Sequence, residues 1–431
     1  MKHIIKLLFC MLTLLLLSYC KKNNSPEENP PDDHEQDTVV YFNDFNFYSA
    51  IISTGIDIDH NGFISFDEAE QVTYLNVAGL NIYDLKGIEA FVNLKYLDCS
   101  NNELTRLDIS NNNALETLKC YDNKLTTLFV SNDSSLKHLD CYNNNLASLD
   151  LSGDISLEYL DCIENQLNKL IVHGDTALVT LICSNNEITG LDISGLIRLN
   201  KLICYDNELH SLDASDNVAL DYLSCGNYSL TSLVLPDNGV LRYLACMGQL
   251  NTLDVSKVIT LETLYCYGNQ LHSLDVSHNI ALETLVCDEN LLTDLDVSNN
   301  NALNYLSCGY NQLTSLDVSH NTSLLSLACG RNYLTSLDIS NNTELTSLGC
   351  SYCQIPELDV SKNTDLEGLY CDGNLLTSLD LTNNTRLKYL YVTLMPSLYK
   401  VCVWTDPFPP VGLVLVTTDS PNVYFTTDCS K

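Results

Sequence analysis

The chain has 431 residues, 45% of them hydrophobic, with 21 Lys and Arg against 55 Asp and Glu. That apolar content excludes a disordered protein, and the length excludes one compact core unless the architecture is extended. A formal net charge of -34 argues against nucleic acid or an anionic lipid surface as partner.

The chain opens MKHIIKLLFCMLTLLLLSYC. Lys2 and Lys6 precede an apolar run that is too short and wrongly flanked for an ordinary membrane span, so residues 1–19 read as an export signal. The end of this run, Leu17-Ser18-Tyr19-Cys20, resembles the lipobox of bacterial lipoproteins, with Tyr19 in place of the usual small residue. The resemblance implies lipidation at Cys20 and a place in the bacterial cell envelope, at the outer membrane or cell surface. Several acyl chains on one cysteine anchor stably where one does not. Residues 20–38 are charged and proline-rich, and read as a solvated tether.

Residues 39–74 contain DIDHNGFISFDE, Asp57 to Glu68. The spacing matches an EF-hand calcium loop at every ligand position. Asp57, Asp59 and Asn61 stand at positions 1, 3 and 5, Phe63 offers its carbonyl at 7, Ser65 is at 9, and Glu68 is the bidentate ligand at 12. Gly62 supplies the sharp turn, and the flanking segments are expected to be helical. A single loop leading straight into a repeat array suggests a structural Ca2+ site in an N-terminal cap rather than a paired sensor.

Residues 75–393 read as leucine-rich repeats, with an atypical first coil followed by the recurring frame L-x-x-L-x-C-x-x-N-x-L-x-x-L-D-[VI]-S-x-N-x-x. It starts at Leu94 and returns every 21 residues to Leu387, except for 20 from Leu241 to Leu261. The pattern resembles leucine-rich repeats of the internalin J type, found in surface adhesins, in which a cysteine replaces a core leucine. The resemblance implies a right-handed solenoid, mainly β, with a parallel sheet on its concave side. The residues agree independently. Leu97 and Cys99 alternate with Tyr96 and Asp98 as an inward-facing strand would, while Leu104, Leu107 and Ile109 form a short segment on the back. The coil leaves little room for a convex helix.

The cysteines from Cys99 to Cys371 form one column. Parallel in-register strands separate neighbouring Cβ atoms by about 4.8 Å, against about 3.8 Å in a disulfide, so these thiols are expected to be free and buried. Cys402 and Cys429 fall outside the frame and are the candidate disulfide. The recurring Asn at repeat position 9, such as Asn102 or Asn123, is expected to satisfy backbone groups between coils. That column breaks at Tyr228, Gln249 and Cys353. The Asp at position 15 reads as a turn former.

Function in a solenoid lies where its coils differ. Positions 3 and 5 flank the inward leucine and should project from the concave sheet. They carry Tyr159, Tyr222, Tyr243, Tyr265 and Tyr305, with apolar Ile182, Ile203 and Val286. Tyrosine offers large contact area at low entropic cost, and exposed aliphatic residues in a row mark a contact surface. The histidines fit no catalytic or metal spacing and no nucleophile elbow or phosphate loop appears, so no enzyme is expected. The tail, 394–431, is expected to be a C-terminal cap. By resemblance to internalin-type adhesins, the expected partner is a host or neighbouring-cell surface protein. Glycan capture and a purely structural envelope role remain as alternatives.

Overall fold

The computed structural model describes residues 39–130, 135–152, 156–172, 174, 176–237 and 239–429. The expected export signal, Cys20 and the expected tether lie outside them. Among the described residues no helix is long and apolar enough to cross a membrane.

The repeat frame folds as a parallel β-solenoid. Seventeen three-residue strands, from Tyr74–Asn76 to Val414–Val416, form one sheet. Every pairing is parallel and leucine faces leucine, as in Leu97↔Leu118, Leu202↔Leu223 and Leu390↔Leu415. Each strand needs only three residues because one inward leucine is flanked by two outward side chains, and the ladder bonds come from the coils on either side. In Tyr222–Ser224, for instance, Leu223 is buried and both neighbours are half-buried. The back of the solenoid carries shorter ladders, such as Arg106–Asp108 with Thr127–Phe129. A single core runs from Val40 to Val403, so each coil buries its apolar face against its neighbours.

The chain leaves the concave sheet through a residue held at positive φ. Asp122, Glu164, Glu289, Tyr310 and Arg331 all occupy this position, with φ between 51° and 56°. A non-glycine residue there is strained unless its surroundings fix it. The following asparagine does so. The Asn123 amide donates to the carbonyls of Cys120 and Tyr121 in its own coil and of Cys99 in the coil before. Its oxygen accepts from Leu104 N–H.

A second asparagine column, at repeat position 19, was present in the frame but carried no sequence signal for its role. Asn279, Asn300, Asn321, Asn342, Asn363 and Asn384 are fully buried. Asn300 donates to Val276 and Asn279 carbonyls at 3.0 and 2.8 Å, and its neighbours repeat the pattern. The side-chain oxygen of each has no hydrogen-bond partner among the described residues. Leu196 and Val258 fill the same slot in other coils and are also buried.

The tail continues both ladders. Val414–Val416 extends the concave sheet from Tyr389–Tyr391, and Lys400–Cys402 pairs with Ser378–Asp380 and Tyr424–Thr426 on the back. Here the coil lengthens, and the spacing that made the repeats visible in the sequence is lost.

Candidate cation loop and concave binding face

The N-terminal cap is built around helix α1, Phe45–Ser53. Asp44 caps it, accepting from Asn46 and Phe47 N–H. The other oxygen of Asp44 takes Tyr83 N–H at 2.7 Å, which ties the helix to the first coil. Phe47 and Ile51 are fully buried in the same core as Leu75 and Phe91. The cap thereby covers the apolar end of the solenoid. Helix α2, Phe66–Glu70, is only five residues long and begins with a capping box between Ser65 and Glu68.

Between these helices the loop brings Asp57, Asp59 and Glu68 together, each offering a carboxylate oxygen within 4.8 Å of the others. Asp57 and Glu68 are buried, and Asp59 is exposed. Asp57 also accepts from Gly62 N–H at 3.0 Å, across a turn that Gly62 allows at φ 84°. Asn61 hydrogen-bonds Asp59 Oδ2 and accepts Phe63 N–H. Ser65 Oγ donates to Glu68 Oε2 at 2.9 Å. Backbone N–H groups of Ser65 and Ile58 also reach Glu68 and hold its carboxyl below the usual range. Hard oxygen donors on a tight loop suit Ca2+, and the donor set fits that ion. The backbone carbonyl of Ile64, at loop position 8, accepts Val40 N–H at 2.7 Å.

Aromatic rings stack near the N-terminal end of the array, Tyr74 on Tyr96 and Tyr121 on Tyr142, and two further aromatic banks lie beyond Lys201. In the first, Tyr222 and Tyr243 stack at 4.2 Å with ring planes 1° apart, and Tyr265 follows at 5.9 Å. Lys201 lies over the Tyr222 ring at 5.2 Å. In the same two coils, one residue before each ring, Arg242 makes two hydrogen bonds to Asp221, at 2.8 and 2.6 Å. Stacking follows from register, since Tyr222 pairs with Tyr243 directly. In the second bank, Tyr370 and Tyr391 lie 5.1 Å apart. Between the banks, the projecting column falls in size through Ser307, Ala328 and Gly349.

Ile182 and Ile203 are register partners and form one apolar step. The sequence reading takes them as exposed. They are half-buried, as is Val286, because the flanking side chains of adjacent coils stand about 4.8 Å away and shield them. Tyr159 lies apart from the first bank, stacked on His138 at 4.3 Å. Tyr305 is exposed beyond Val286, across a hollow. The sequence reading missed the contribution of small residues. Gly226 and Gly309 follow their coils' cysteines and give Tyr205 and Asp288, at the same position of the preceding coils, a small neighbour on one side. A glycine next to a larger residue in that column was the available signal.

Fourteen cysteines of the column and Cys353 are free and buried. Cys402 and Cys429 form a disulfide with Cα atoms 5.7 Å apart.

The in-register sheet, the 21-residue coil and the cysteine column define a leucine-rich-repeat solenoid with a cysteine ladder. The chain is similar to the functional domain of InlJ from Listeria monocytogenes, which also includes a cysteine ladder. The two share 29% identity over 83% of this chain and 74% of that one, with a TM-score of 0.54. A leucine-rich-repeat protein from Leptospira interrogans matches at 21% identity over 79% of this chain and 93% of its own, with a TM-score of 0.55. YopM from Yersinia enterocolitica matches at 22% identity over 83% and 92%, with a TM-score of 0.54. These last two share the fold. No family model and no curated protein sequence matches the chain.

Proposed function

We propose that this chain is a lipid-anchored leucine-rich-repeat protein of the bacterial cell surface that binds a protein partner through its concave face. The observation that carries the reading is the first aromatic bank. Tyr222, Tyr243 and Tyr265 present large rings with polar tips on a rigid sheet, next to the apolar step of Ile182 and Ile203. Such surfaces contribute contact area with little loss of side-chain entropy. The export signal and Cys20 motif support display and anchoring. Ca2+ in the Asp57–Glu68 loop would hold the cap in place, with Asp57, Asp59 and Glu68 as carboxylate ligands.

The test is a binding screen of residues 37–431, with calcium, against arrays of surface proteins and of glycans. A protein hit that is lost in Tyr222→Ala and Ile203→Ser, with thermal stability unchanged, supports the reading. Glycan hits without protein hits would replace it with sugar capture. A partner that binds both variants normally would place recognition elsewhere.

A further inference from the structure

The hollow beside the first bank has a chemistry of its own. It is an open depression of about 610 Å³, walled by Tyr265, Tyr267 and Tyr305 over a floor that includes Val286 and Ser307. It exists because the projecting column steps down from Tyr265 through Val286 to Ser307, on three adjacent coils. Asp288 stands in its wall. One of its carboxylate oxygens is fixed by Ser307 Oγ at 2.7 Å and Gly309 N–H at 2.8 Å. A Cβ at position 309 would lie 3.0 Å from that oxygen, so the glycine makes room for the carboxylate. Among the described residues no hydrogen bond or ion pair reaches the second oxygen, and no Lys or Arg lines the hollow.

We propose that this hollow receives an arginine side chain of the protein partner, with Asp288 as its counter-ion and the tyrosine rings as its walls. The proposal rests on the reading that the concave face binds a protein. Tyrosine faces attract cations, and a guanidinium can both stack on a ring and bond a carboxylate. A half-buried carboxylate favours a cation over a neutral group, because it is screened less than one fully in water. Burial already pushes the Asp288 carboxyl above its ordinary range. A net charge of -34 on the chain draws basic partner surfaces toward the face. One carboxylate among phenol rings is a poor metal site, and the carboxylate repels anions.

The experiment is ligand-observed NMR with the N-acetylated peptide amide Gly-Gly-Arg-Gly-Gly and its citrulline analogue, which is neutral because both ends are capped. The arginine peptide binds, and citrulline weakens binding about tenfold or more, as loss of a charge-assisted hydrogen bond requires. Asp288→Asn keeps an acceptor for Gly309 and should fold as the parent does, with the same melting temperature. It should lose the same factor. Equal binding of the citrulline peptide, or full binding by Asp288→Asn, overturns the proposal. A protein partner captured in the screen and lost in Tyr222→Ala, with no binding of the arginine peptide, overturns the proposal and leaves the broader reading standing. Arginine binding with no protein partner captured supports the hollow and counts against that reading.

Discussion

The Sγ of Cys353 lies 3.6 Å from the carbonyl oxygen of Cys329. In most coils that carbonyl accepts from an asparagine amide, and here a thiol replaces it. The thiol is a weak donor where the amide makes two or three bonds and accepts a fourth. In the regular coil, Asn311 donates to Cys287, Cys308 and Gly309 carbonyls and accepts from Leu292 N–H, all at 3.0–3.1 Å. Asn311→Ala would leave these buried groups unpaired and should cost about 2–4 kcal/mol. Cys353→Asn should raise stability by about 1 kcal/mol, one net hydrogen bond. Urea midpoints of both variants check this. A midpoint unchanged in Asn311→Ala would show that the column is not structural.

This relationship also marks what the sequence reveals. The frame makes the coils, the concave sheet and the position-9 asparagines legible, because each repeats on a fixed count. Cys353 is legible only as a break, since nothing local says that a thiol can copy part of an amide's bonding. The paired strands of the tail are hidden because the coil lengthens there and its leucines fall out of step. The Asp57–Glu68 loop is legible because its ligands are local. The Asp288 hollow is not, because it depends on small residues in neighbouring coils, which matter only once register is known.

The buried thiols predict alkaline instability. Burial pushes the Cys183 and Cys246 thiols up to about 12 from 9.0. These groups stay protonated in the folded state while the unfolded chain ionises. Their contribution is therefore fully present below pH 9 and lost as pH rises toward 12. Each thiol adds a slope of about 1.4 kcal/mol per pH unit across that window. Urea midpoints measured from pH 8 to 11 should fall steeply, and Cys183→Ala with Cys246→Ala should flatten the fall by about two thiols' worth. Alkylation of the folded chain at pH 8 should leave the column unmodified. A parallel pH dependence in the double variant would refute the account.

Calcium removal should weaken the N-terminal cap. Without a cation, the carboxylates of Asp57, Asp59 and Glu68 repel across no more than 4.8 Å. A bound dication reverses the sign of that interaction and stabilises the folded state by mass action, about 2.7 kcal/mol at a hundredfold excess over Kd. The melting temperature in millimolar Ca2+ should exceed that in chelator by several degrees. Glu68→Gln should abolish the difference, while Mg2+ should substitute poorly for a flexible oxygen cage. Identical melts with chelator and calcium would sink the idea.

Reduction of the Cys402–Cys429 disulfide should open the C-terminal end before the rest. The bond closes a loop of 27 residues that contains Trp404. Trp404 packs edge-on against Phe408 at 5.5 Å, and Phe408 stacks on Phe425 at 4.9 Å. This small cluster is half-buried rather than part of the deep core, so it has little hydrophobic area to hold it once the link is gone. Loop-closure entropy assigns such a bond about 3–4 kcal/mol. In a solenoid that loss falls mainly on the coils nearest it, because each coil contacts only its neighbours. The double variant Cys402→Ala and Cys429→Ala should therefore shift Trp404 emission to longer wavelength at a lower urea concentration than the parent. The main circular-dichroism transition should move much less. Coincident transitions by both probes would mean that the end coil and the solenoid unfold as one unit.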